Sequence, residues 1–197
     1  PGGRPEQWKY TRVAKLFNRP YVKPDGLVGG ELPARLPFPS TRVVFVNGHF
    51  RPDLSDDLKV DKGVVIDSIK HHLSHGPLKA HYGMSAPIGD RLFTAMNMAS
   101  PTDGLIILAT KGARTSQPVH LLRITVGAPD DRPMLIQPRD LVMLHEGANV
   151  ELIDEHIAIG DTVSSLVNGV RECAVGEGAS LTLHLLQNED NGPADIN

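Results

Sequence analysis

The chain has 197 residues, with 20 Lys and Arg against 23 Asp and Glu, and its net charge of −3 shows neither a basic patch nor an acidic tail along the sequence. That balance argues against nucleic acid and anionic membrane as partners, and the length sustains a core without metal or disulfide staples. One cysteine excludes an internal disulfide, the N-terminus shows no charged-then-apolar leader, and the longest apolar run, Leu105 to Ala109, is far short of a membrane span; a soluble protein of the reducing cytoplasm is expected.

Aromatic residues make up 5% of the chain against 19 Gly and 16 Pro, a composition that favours turn-rich β structure with an aliphatic core. The opening stretch holds the only Trp, Trp8, followed by Val13 to Phe17 at helical spacing. A short helix with Trp8 packed inward is predicted there. Five prolines and three glycines between Pro20 and Ser40 leave room for no regular element and mark a linker.

Arg42-Val43-Val44-Phe45-Val46 reads as a strand, and Asn47-Gly48 is the strongest short hairpin signal available, so His49-Phe50-Arg51 should return antiparallel. Val64-Val65-Ile66 is a short strand, and Asp67 or Ser68 can cap a helix running through His75. A second helix fits Asp90 to Met98, with Leu92, Phe93 and Met96 on one face. Beyond Pro101 the character changes. Strand-like stretches follow at 105–109, 119–126, 134–136, 141–144, 150–159 and 181–186, separated by Gly, Pro or Asp turns. The expected division is an α/β region over 1–100, with its linker at 20–40, followed by an all-β part over 101–197. Asn191 to Asn197 reads as a polar, turn-prone end.

Within the β part, Glu146-Gly147-Ala148-Asn149-Val150-Glu151-Leu152 returns 31 residues later as Glu177-Gly178-Ala179-Ser180-Leu181-Thr182-Leu183. In each copy Gly supplies a tight turn and apolar residues then alternate with polar ones. Stacked as successive coils, the copies would place Val142 under Cys173, Leu144 under Val175, Val150 under Leu181 and Leu152 under Leu183. The fold class expected is therefore mainly β, the first coils of a β-solenoid after a small α/β region. A sandwich with two similar hairpins would give the same pattern. The second copy has no polar cap, so the 197 residues are expected to be an N-terminal piece of a longer β-helix, truncated after its first coils, which by themselves associate with a partner or a second copy through this edge or aggregate.

No catalytic, cofactor-binding or metal-ligating residue is assigned. His71 and His75 share a helix face, with His72 between them, but nothing completes a zinc site, and exposed helix histidines are the expectation. Cys173 should point into the apolar column as a buried, unreactive thiol. His145, His156 and His184 lie on the β part without forming a recognised triad, and by the register His184 matches Ile153 on the outward face. Glu151 projects, but Thr182, its match, is no acid–base partner. Gly176-Glu177-Gly178 and Gly29-Gly30 lack the lysine and the strand-to-helix setting of a phosphate loop.

Three stretches carry a family resemblance. Arg4-Pro5-Glu6-Gln7-Trp8-Lys9-Tyr10-Thr11 is similar to the Glu-x-Trp-Lys-Tyr-Thr signature near the start of the SufD family, scaffolds of the SUF iron–sulfur cluster assembly system. Arg42 to Phe50 with Leu54-Ser55 resembles that family's hairpin, and Leu166 to Glu172 through Val175-Gly176-Glu177-Gly178-Ala179 to Leu186-Gln187 resembles its first full β-helix coil. The resemblance implies a right-handed parallel β-helix and a non-catalytic scaffold partnering SufB and the ATPase SufC. The family's cluster-assembly histidine and its ATPase contact fall beyond Asn197, so no functional residue is carried onto this sequence. A stand-alone β-solenoid enzyme or a sugar-binding module is the alternative from another class.

Overall fold

The computed structural model describes residues 14–26, 32–59, 61–73, 81–86, 91–128, 130, 132–189 and 192–196. Trp8, the opening signature, His75 and Gly29-Gly30 lie outside them. A four-residue helix, α1 (Ala14–Phe17), opens the described chain, and the one ladder contact among the described residues of the Pro-rich stretch that follows is an isolated bridge from Val22 to Met134.

The first strand, β1 (Thr41–Val46), turns through Asn47 (φ 48°) and Gly48 (φ 76°) into β2 (His49–Phe50), pairing Phe45 with Phe50. Two successive left-handed residues are what a two-residue hairpin matching strand twist requires, which is why Asn-Gly sits there. Then comes β3 (Val64–Ser68), followed by a single 3-10 turn over Ile69–His71. Ser68 does cap it, its side chain accepting from the Lys70 amide, but the regular helix expected through His75 is limited to that turn among the described residues.

Helix α2 (Leu92–Ala99) is present with a different buried face from the one expected. Phe93 and Asn97 are its buried residues, whereas Leu92 is 42% exposed. Asn97 faces inward because its side-chain amide donates to the carbonyls of Pro138 (2.9 Å) and Asn168 (2.8 Å). A polar residue with buried acceptors to satisfy has outranked an apolar one.

Nine further strands complete the fold: β4 (Leu105–Ala109), β5 (Val119–Val126), β6 (Leu135–Ile136), β7 (Arg139–Leu144), β8 (Asn149–Ile159), β9 (Leu166–Asn168), β10 (Val170–Val175), β11 (Ser180–Asn188) and β12 (Ala194–Ile196). With β1, β2 and β3 they build, among the described residues, three sheets, in the orders β11-β8-β5-β1-β2, β10-β7-β4-β3 and β12-β9-β6. From β4 onward the chain visits the three sheets in rotation, and every pairing among those nine strands is parallel. Strands from both sides of Pro101 share sheets, β1 pairing with β5 in parallel and β3 with β4 antiparallel.

All four predicted stacks are present: Cys173 pairs with Val142, Val175 with Leu144, Leu181 with Val150 and Leu183 with Leu152. The turns stack as well. Gly112 (φ 69°), Gly147 (φ 67°) and Gly178 (φ 64°) occupy the same left-handed position in three successive turns, joined by hydrogen bonds from Gly112 N to Glu146 O (2.8 Å) and from Gly147 N to Glu177 O (2.9 Å). Lys111-Gly112-Ala113 is thus an earlier copy of the repeat. The stretch read as a strandless end also contributes, since β12 pairs with β9.

Side chains alternate between two environments. Val43, Phe45, Ile107, Val119, Leu121, Val142, Val150 and Leu152 fill the space between the sheets. The alternate residues Ile106, Leu141 and Met143 are covered from outside by Ile69, Leu73 and Tyr82. Both faces of β7 are therefore buried, and its sequence reads as a continuous strand with no exposed residue.

Candidate functional site

Among the described strands, β10, β11 and β12 each have a neighbour on one side only. The consequence appears in side-chain exposure along each stack. Leu144, Leu152 and Asp154 are buried, but the residues paired with them on the next strand, Val175, Leu183 and Leu185, are 47%, 47% and 50% exposed. Cys173 is exposed too. It occupies the inward column as predicted, but the expectation of burial fails because no described strand lies beyond β10. Even so, burial on its cavity-facing side pushes the thiol above its ordinary pKa, against the pull of Arg171.

Beneath this edge the interior changes from aliphatic to ionic. Arg123 on β5 donates from Nε to Asp154 Oδ1 (3.0 Å) and from Nη2 to Asp140, while Arg171 on β10 donates from Nε and Nη2 to Asp140 Oδ2 (3.2 and 2.9 Å) and from Nη2 to Asp154. Two guanidinium groups and two carboxylates thus share one buried square. His156 Nε2 lies 3.4 Å from Asp154 Oδ1, and the Leu105 amide donates to Asp140 Oδ1 at 2.9 Å. Burial alone would raise the Asp154 carboxyl, but Arg123, His156 and Arg171 outweigh it and hold the group well below the usual carboxylate range. The same attraction, outweighing desolvation, raises Arg171 further above its already high value.

The square borders a cavity of about 450 Å³ lined also by Cys173, Leu183 and Leu185. Its charges are matched in number and tied to one another, so it offers neither a free base nor an activated nucleophile. What the arrangement can do is fix register: a shift of β10 against β7 would leave charges unpaired in a dry interior.

A second buried pair braces the outside of the same strands. Arg139, fully buried, donates from Nε and Nη2 to Glu172 Oε1 (2.9 and 2.7 Å) and from Nη1 to Asn97 Oδ1 (3.0 Å), and its guanidinium sits 5.1 Å from the centre of the Tyr82 ring. Glu172 also accepts from the amides of Gly83, Ser85 and Ala86 at 2.8, 2.9 and 3.2 Å, so one carboxylate pins the 81–86 segment to an edge strand.

The histidines are distributed rather than gathered. His71 Nδ1 and His72 Nε2 both meet Asp67, at 2.9 and 3.1 Å; His71 is exposed as expected, whereas His72 is largely covered. His145 is exposed and His156 is buried. His184 does face outward opposite Ile153, and its Nε2 lies 3.2 Å from Glu151 Oε1, so the partner that Thr182 could not supply comes from two residues further on. His120 escaped the sequence reading: it is fully buried, its Nε2 lies 2.8 Å from Glu155 Oε2, and burial lowers its pKa against the influence of that carboxylate. Gly176-Glu177-Gly178 forms one of the stacked turns. Among the described residues no group of three or more His, Cys, Asp or Glu is placed to hold a metal ion, and no helix is long and apolar enough to cross a membrane.

The buried ionic residues were the main omission of the sequence reading. Charged residues inside otherwise apolar strands, at Arg139-Asp140, Asp154 and Arg171-Glu172, are the signal that could have found them, because a strand buried on both faces admits charge only in pairs.

Residues 36–121 match the family described as SufBD protein N-terminal region. That match covers the Asn-Gly hairpin and the strands through the first part of β5. Over 205 residues the chain is 28% identical to an iron-sulfur cluster assembly SufBD family protein of Synechocystis sp., covering 98% of this chain and 44% of that relative. Over 167 residues it is 25% identical to the iron-sulfur cluster assembly protein SufD of Escherichia coli, covering 82% of this chain and 36% of the relative. The chain spans less than half the length of the curated relatives it matches.

Proposed function

We propose that this chain belongs to the SufBD family and is a non-catalytic scaffold component of the SUF iron–sulfur cluster assembly complex, partnering SufB and SufC homologues in the cytoplasm. Its strands 101–197 form the first coils of a right-handed parallel β-helix, and residues 1–100 form the α/β region before it. The rotation of the chain through three parallel sheets supports that reading, and parallel crossovers are right-handed in nearly all known cases. The scaffold holds no cofactor of its own, the cluster being cargo.

The observation that carries the proposal is the passage of β4 to β12 through three parallel sheets in rotation, and the chain presents an edge at β11 that can take up further strand, from the same protein or a partner. β11 presents nine residues of strand with one neighbour, and Leu183, Leu185 and Leu186 are exposed on it, a surface suited to taking up partner backbone and apolar side chains. Mixing the purified chain with SufB and SufC homologues and separating the products by size tests the reading. A shared peak that a charge at Leu183 disrupts supports it; separate elution of all three proteins contradicts it.

A further inference from the structure

Away from the open edge, a cleft of about 300 Å³ lies where the Tyr21–Pro24 segment crosses the end of β6. The crossing is fixed by hydrogen bonds from Val22 N to Pro133 O (2.9 Å) and from Leu135 N to Val22 O (3.3 Å). Val22, Leu135 and Pro101 supply apolar walls. Lys23 and Lys70 reach the cleft from separate segments, His49 Nε2 is engaged with the Pro24 carbonyl (3.1 Å), and among the described residues no Asp or Glu lines it. Of the carboxylates on adjoining segments, Asp67 is engaged with His71 and His72 and Asp103 with Ser68. Neither lysine is in an ion pair among the described residues.

The neutral polar groups have roles that leave the charge unmatched. Gln137 is spent on the structure, donating to Ser100 O (2.8 Å) and accepting from Asn168 (3.0 Å), and Thr102 Oγ1 accepts from the Gln137 amide (2.9 Å). The Tyr21 hydroxyl is buried beside the Arg19 guanidinium, which can only donate, and finds no acceptor among the described residues. Burial pushes its pKa up, against the pull of Arg19, so it stays a protonated donor. Unmatched positive charge over apolar walls, beside a hydroxyl lacking an acceptor, calls for a ligand with negative oxygen at one end and hydrocarbon at the other.

We propose that this cleft binds a small oxyanion carried on a short apolar body, of the phosphate monoester or carboxylate class. It is a site separate from the scaffold edge and independent of the scaffold role.

Titrating the isotopically labelled chain with phenyl phosphate, benzoate, inorganic phosphate and benzyl alcohol, followed by amide chemical shifts, tests the proposal. Saturable shifts at Val22, Thr102 and Leu135 are expected with phenyl phosphate or benzoate, the tighter of the two identifying the head group. Inorganic phosphate should bind more weakly and benzyl alcohol not at all. Lys23→Glu with Lys70→Glu should weaken binding by about tenfold or more. The rest of the amide spectrum reports that the fold is retained, and Lys70→Gln is read by the same criterion if the double variant unfolds. No saturable shift with either anion, equal binding of benzyl alcohol, or affinity unchanged in the lysine variants would overturn the proposal.

Discussion

Cys173 lies directly over Val142 in the β7–β10 ladder, yet Val142 is fully buried and Cys173 is exposed. The two positions are equivalent in the repeat and differ only in what lies beyond them. A maleimide should therefore label Cys173 in the native protein, with a rate still climbing at pH values where an ordinary thiol has levelled off, because its pKa is raised. In a Cys173→Ser background, Val142→Cys should stay unlabelled until the protein is denatured. Labelling of Cys173 only after denaturation would mean that its column is closed.

The Arg139–Glu172 pair is buried on both sides, so removing one partner leaves an uncompensated charge. Arg139→Met is expected to cost about 3–5 kcal/mol in urea unfolding. Adding Glu172→Leu should recover only part of that loss, since Glu172 also holds three amides of the 81–86 segment. Full recovery would show that those amides contribute little.

Asp154 links the interior square to pH. Its folded pKa is depressed, so the stabilisation it contributes is fully present above the unfolded value of about 3.9 and is lost as pH falls through the folded value. Below about pH 4 the unfolded chain takes up a proton that the native carboxylate refuses. Urea midpoints measured from about pH 7 down to pH 2 should fall more steeply for the native sequence than for Asp154→Asn, although the variant starts lower. Parallel acid limbs would contradict the assignment.

Gly104 passes so close to β7 that a Cβ built on it would lie 1.9 Å from the Arg139 carbonyl oxygen. That neighbour is backbone, fixed by its own amide bond to Asp103 O at 2.8 Å, and cannot rotate aside. Gly104→Ala should destabilise by about 3 kcal/mol, the upper end for overpacking, read from thermal or urea unfolding. A neutral result would show that the β4 entry gives way.

Much of the β part could be read in advance because its signals are local and periodic. Asn47-Gly48 specified a hairpin through backbone sterics, and the return of Glu-Gly-Ala after 31 residues specified the Val142–Cys173 register. The first copy, Lys111-Gly112-Ala113, was missed because it stands 35 residues before its successor and shares only Gly-Ala with it. Helix α2 misled for a different reason: Leu92 is the more apolar residue, but Asn97 satisfies carbonyls contributed by distant segments, which no window along the chain reveals. The Arg123–Asp140–Asp154–Arg171 square was hidden in the same way, its four members coming from four strands.

The claim on which the account most depends is that these 197 residues, taken by themselves, associate through the edge of β10 and β11. Size-exclusion chromatography with light scattering, run over a range of concentrations on the native sequence and on Leu183→Lys, measures it directly. The account predicts concentration-dependent association of the native chain that the lysine abolishes, because a charge on a half-exposed apolar edge position opposes docking. A monodisperse monomer at high concentration, unchanged by Leu183→Lys, would contradict it.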